Sequence, residues 1–107
     1  MTAITVTTDL FGELMNGDKP VLVEFWAPWC VYCRRIGPAM DKLADQRSDE
    51  LVVGKINIDD EPQLAAREQI EVIPTLVLYR GGHALGSIVA PESKAAIEAF
   101  IGETLAK

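Results

Sequence analysis

The chain has 107 residues, 49% of them hydrophobic and 24% charged, the composition of one ordinary folded domain spanning 1–107 rather than of a disordered segment. Its 16 acidic and 10 basic residues give a net charge of −6, which argues against nucleic acid or an anionic membrane as main partner, since both call for a basic face. Two Cys and one His are too few for a zinc site without a carboxylate, so no metal is expected, and no apolar run nears the ~20 residues that span a bilayer.

The opening Met1–Asp9 has neither a basic start nor an apolar stretch, so it does not read as a signal peptide, and the expected compartment is the cytoplasm. Ile4-Thr5-Val6-Thr7 alternates apolar and polar residues, the pattern of a short edge strand. Asp9 is placed to cap a short helix through Leu10, Leu14 and Met15, with Gly17 as its stop. Val21-Leu22-Val23-Glu24-Phe25-Trp26 is almost continuously apolar, as in a strand buried on both faces. A helix follows, with Ile36, Met40, Leu43 and Ala44 along one face and Pro38 expected to kink it. Leu51–Ile58 reads as a second central strand. Pro62 opens a short helix carrying Leu64, Ala65 and Ile70. Thr75–Tyr79 is a further strand, and Gly81-Gly82 turns it into a hairpin with Ala84–Val89. A last helix begins near Glu92, with Ile97, Phe100, Ile101 and Leu105 as its apolar stripe. The order β-α-β-α-β-α-β-β-α predicts an α/β fold, a mixed central sheet with helices on both faces.

The chemistry concentrates at Trp29-Cys30-Val31-Tyr32-Cys33, where a buried strand gives way to a helix. A helix N-terminus carries about half a positive charge and unpaired N–H groups, which stabilise a thiolate at Cys30. Cys33, one turn on, is within disulfide reach and lies deeper. Cys30 is therefore expected to attack and Cys33 to resolve, with two inert core cysteines or half of a metal site as the alternatives. Glu24 is the odd residue in an apolar strand. Burial favours its neutral form and raises its pKa, which suits proton transfer to and from Cys33. Asp59-Asp60-Glu61 reads as a solvated loop capping the next helix, His83 as an exposed loop residue and Trp26 as plain core.

Trp26-Ala27-Pro28-Trp29-Cys30 followed by Cys33, with Ile73-Pro74-Thr75 downstream, resembles the thioredoxin family. The similarity covers about residues 10–105, and Val23–Ala27, Lys55–Asp59 and Gly82 fall at the family's spacing. The resemblance implies the thioredoxin fold, dithiol–disulfide exchange with protein disulfide substrates, and re-reduction by NADPH through thioredoxin reductase. It implies no bound cofactor beyond the Cys30–Cys33 pair. It makes Pro74 a cis-proline facing the cysteines, with the Ile73 backbone free to pair with an extended substrate. It places Lys55 near Glu24, where a purely structural ion pair is the alternative to a proton relay, and has Trp29 pack on the site and orient substrates. A monomer is expected.

Three positions depart from the family. Glu24 stands where Asp is usual, so the relay geometry differs. Ala90 replaces a glycine beside the docking groove, which its methyl narrows. Val31-Tyr32 replaces Gly-Pro, so Tyr32 offers an N–H that proline lacks. Aimed at the Cys30 thiolate, that bond is expected to stabilise the reduced form and make the pair less reducing by tens of millivolts than the thioredoxin value of about −270 mV. Tyr before the second Cys also looks like glutaredoxin, but glutathione binding needs cations around the site, and only Arg34 and Arg35 are obvious. The alternatives are a glutaredoxin-like or isomerase-like exchanger, a dimer holding an iron–sulfur cluster through Cys30 and Cys33 of both chains, and a non-catalytic docking module.

Overall fold

Strand β2 (Val21–Trp26) is buried along nearly its whole length, and the alternation of its side chains divides the interior in two. In this computed structural model, which describes residues 2–107, Val21, Val23 and Phe25 enter one apolar cluster and Leu22 enters the other. β2 pairs in parallel with β3 (Val52–Asn57) and antiparallel with β4 (Thr75–Arg80). β1 (Ile4–Thr5) extends the sheet beyond β3, and β5 (His83–Val89) extends it beyond β4, giving the order β1-β3-β2-β4-β5. The mixed sheet that the element order predicts is therefore present, with parallel strands joined by helices and a closing antiparallel hairpin.

Helices α2 (Val31–Gln46) and α4 (Lys94–Leu105) cover the face that holds Leu22, Leu76 and Leu78. Their contribution is Ile36, Met40, Leu43, Ile97 and Ile101. Helices α1 (Thr8–Met15) and α3 (Pro62–Arg67) bring Phe11, Leu64 and Ala65 to the other face. There Phe11 meets Tyr79 edge-on at 5.2 Å between centroids. α2 continues through Pro38 as one helix.

Several local expectations are corrected. The cap of α1 is Thr7, whose side chain accepts from the Leu10 N–H; Asp9 sits inside the first turn. α3 ends at Arg67, short of Ile70. Gln69 takes the left-handed conformation (φ 61°), and the Gln69 and Ile70 N–H groups close back on the Ala66 and Ala65 carbonyls. The last helix starts at Lys94 on a Ser93 cap, two residues later than expected. Gly81 and Gly82, at φ 62° and 82°, form the mirror-image two-residue turn that matches strand twist.

Gly54 fixes how closely β1 can approach. A Cβ there would lie 2.6 Å from Val6 Cγ2, and the branched valine side chain has little freedom to yield. Gly54→Ala is expected to destabilise the protein by about 1–3 kcal/mol through overpacking. Urea unfolding checks this, and an unchanged midpoint would show that β1 shifts freely.

Candidate active site

The chain leaves β2 at Trp26 and enters α2 at Val31, and the turn between them is closed by the Cys30 N–H donating to the Ala27 carbonyl at 3.1 Å. Cys30 is thereby the N-cap of α2, with extended backbone, and its sulfur accepts from the Cys33 N–H at 3.2 Å. The two sulfurs are joined as a disulfide across a Cα separation of 5.3 Å. The pair is asymmetric: Cys30 is partly exposed, whereas Cys33 is only 2% exposed.

A capping side chain accepts from the second or third helical residue, and here it is the third, Cys33. In the disulfide form the N–H that reaches Cys30 Sγ is that of Cys33. The Tyr32 side chain makes contacts of its own. Its hydroxyl donates to the Pro91 carbonyl at 2.9 Å, 59 residues away, and Arg35 lies 5.9 Å from the ring centroid. Val31 points outward and is 65% exposed.

Two further loops are bonded to each other, and one of them is tied to the cysteines' helix through Tyr32. The Ile73–Pro74 peptide is cis, as the resemblance implies. Thr75 Oγ1 donates to the Val72 carbonyl at 2.6 Å, and the Ala90 N–H donates to the Pro74 carbonyl at 2.9 Å. Ala90 sits at φ 45°, a conformation that favours glycine, so its side chain strains the backbone. Trp29 is as exposed as Val31, and its indole N–H donates to Asp59 Oδ2 at 3.0 Å.

The acidic run 59–61 is therefore not merely solvated. Asp59 holds Trp29, and Glu61 Oε1 accepts from the Thr8 N–H and hydroxyl at 2.7 and 2.6 Å. Glu61 occupies the N-cap position of α3 without a side-chain capping bond there. Its bonds to Thr8 hold its carboxyl below the usual range. No sequence signal pairs Thr8 with Glu61, because the bond joins the starts of two helices that only the fold brings together.

Glu24 lies between Lys55 and Leu76 in the sheet, on the face that α2 covers, and is 1% exposed. Its Oε2 has no hydrogen-bond partner among the described residues. Burial pushes its pKa from 4.5 to about 7, opposed by Lys55 and reinforced by Asp41. No direct ion pair joins Glu24 and Lys55 among the described residues. The ammonium sits 4.9 Å from the Trp26 ring centroid, so Trp26 is more than plain core.

Among the described residues no cluster of His, Cys, Asp and Glu is arranged to hold a metal, and no helix is long and apolar enough to cross a membrane.

The sequence model of the thioredoxin family matches residues 2–103. The chain is 36% identical over 102 residues to a thioredoxin of Alicyclobacillus acidocaldarius, covering 95% of this chain and 97% of that one. It is 41% identical over 93 residues to thioredoxin 1 of a Nostoc species, covering 86% and 87%. It is 34% identical over 97 residues to the bifunctional thioredoxin reductase/thioredoxin of Mycobacterium leprae, covering 91% of this chain and 21% of that longer one.

Two outcomes follow from the geometry. Between pH 4.5 and about 7 the folded chain holds a proton on Glu24 that the unfolded chain has released, so stability falls as pH rises through that window. Ionised Glu24 costs about 3 kcal/mol above it. Glu24→Gln should therefore gain stability relative to the parent as pH rises across the window, and a parallel pair of stability–pH curves would contradict the assignment. Tyr32→Phe removes the bond to Pro91 and should lower the stability of the disulfide form by about 1 kcal/mol in urea. Equal midpoints would mean that the hydroxyl contributes nothing.

Proposed function

The chain belongs to the thioredoxin family and is a thiol–disulfide oxidoreductase that reduces protein disulfides, and from that premise we propose how its residues divide the work. Cys30 is the attacking sulfur and Cys33 the resolving one. The observation that carries this reading is their asymmetry at one helix end: a reachable sulfur capping α2, and a buried one a turn inward. The helix N-terminus favours the Cys30 thiolate over the thiol.

The Cys30 thiolate attacks one sulfur of the substrate disulfide. That S–S bond breaks, a mixed disulfide forms, and the first substrate sulfur leaves as a thiolate and takes a proton. Cys33, deprotonated, then attacks the Cys30 sulfur. The mixed disulfide breaks, the second substrate sulfur leaves and takes a proton, and the Cys30–Cys33 bond remains. Two electrons and two protons have passed to the substrate.

Glu24 is the proton acceptor for Cys33. A carboxyl with a pKa of about 7, on the sheet face beneath the cysteines' helix, both accepts and returns a proton near neutrality. Lys55 is a positioning residue that opposes the rise through its charge. Trp29, Val31, Tyr32, Ile73, Pro74 and Ala90 form the substrate-binding surface. Tyr32 serves by tethering the Ala90–Pro91 loop, and the Ile73 backbone pairs with an extended substrate segment.

The electrons come from NADPH through thioredoxin reductase. The Mycobacterium leprae relative, whose name joins reductase and thioredoxin in one protein, supports that donor. The pair itself is the redox group, with no bound cofactor or metal. The cytoplasm suits a site that begins each cycle as two thiols. A monomer suffices, since one chain supplies every residue named.

The test couples NADPH and a bacterial thioredoxin reductase to a disulfide-bonded protein. The parent should oxidise NADPH, Cys30→Ser should reduce turnover to background, and Cys33→Ser should accumulate a substrate-linked adduct on a non-reducing gel. Failure of the parent to turn over with either the reductase or glutathione would instead make the chain a docking module. Turnover driven by glutathione but not by the reductase would assign it to the glutaredoxin-like reading.

A further inference from the structure

β5 is covered by α4 on one face, where Gly86 lies against Thr104 and Phe100. On the other face a groove of about 380 Å³ opens between the segment that follows α3 and the hairpin of β4 and β5. Its lining includes Glu68, Glu71 and Val72 from that segment, and Val77, Leu85 and Val89 from the hairpin. Val72 and Val89 are both more than half exposed.

The groove borders the Ile73–Pro74 loop. Val72 precedes Ile73, Val89 stands opposite Thr75 in the sheet, and Ala90 is bonded to Pro74. From Val89 to Leu85 is four residues of strand, about 13 Å, which four extended residues of another chain would match.

The wall facing the hairpin is acidic. Glu68 is held in place, its Oε1 accepting from the buried Tyr79 hydroxyl at 2.8 Å and its Oε2 lying 3.7 Å from Arg67 Nε. Glu71 is exposed beside it. The whole chain, at −6, adds a field of the same sign.

We propose that this groove takes the substrate polypeptide flanking the reactive cysteine, and that it selects segments carrying an apolar residue and then a Lys or Arg within about three to five residues of that cysteine. The inference rests on the reading of Cys30 as the attacking sulfur beside the Ile73–Pro74 loop, and it adds a substrate class to that site. Val72, Val77, Leu85 and Val89 receive the apolar side chain, and Glu68 and Glu71 the cation. Charges at the rim of such a surface act mainly on the rate of encounter and on its salt dependence.

The probes are two synthetic disulfide-linked peptides, identical except that one carries Lys and the other Glu four residues from the cysteine. Each is reduced in a single turnover by the pre-reduced protein, and each rate is normalised to that for 2-hydroxyethyl disulfide, which carries no flanking chain to lay in the groove. At low ionic strength the Lys peptide should react about three- to tenfold faster than the Glu peptide, and the ratio should fall towards one at high salt. Glu71→Lys should abolish or invert the ratio. Asp49→Lys, the same charge change on the turn after α2, should preserve it. Equal rates for the two peptides, or a ratio lost equally in both variants, would overturn the proposal. Failure of the parent to reduce 2-hydroxyethyl disulfide would instead strike at the redox reading on which it rests.

Discussion

Everything at the site depends on how the chain turns from a buried strand into a helix within four residues. β2 is pinned on both sides by neighbouring strands, so its end is fixed in space. The Cys30 N–H bond to Ala27 then sets where α2 begins. That single turn makes Cys30 the cap, orients the helix N-terminus towards its sulfur, and leaves Cys33 beneath it. A shift of one residue would exchange the reachable sulfur for a side chain without redox chemistry.

The sheet beneath is built to hold this turn rigid while admitting one misfit. β2 sends apolar side chains to both faces, yet on the α2 side it carries a carboxyl. Lys55 partly offsets the cost of that carboxyl while resting on Trp26 rather than bonding to it. The arrangement leaves Glu24 close to the balance point between its charged and neutral forms. A direct ion pair would have fixed it in one state.

Features set by neighbours in sequence were legible before the fold. The uninterrupted apolar run of β2, the spacing of Ile36, Met40 and Leu43, the Gly81-Gly82 turn and the two cysteines each carry local physical signals. The family resemblance added Pro74, whose cis form no single-sequence rule favours. What escaped reading joins distant residues: Tyr32 to Pro91, Trp29 to Asp59, Thr8 to Glu61 and Tyr79 to Glu68. In each case one partner has several plausible roles, and only the fold selects among them. Thr7 and Asp9 show the same ambiguity at short range, since both are good caps and the helix start decides between them.

The cysteines are three positions apart in sequence, and so short a span has a consequence beyond catalysis. In the chain-entropy view, a cross-link closing four residues restricts the unfolded chain by about 2 kcal/mol, against about 4.7 for a loop of about 100 residues. The bond therefore adds little to holding the architecture together. Two extensive apolar clusters do that on either side of the sheet. Two electrons enter or leave at the rim of an architecture that does not depend on the bond they make or break.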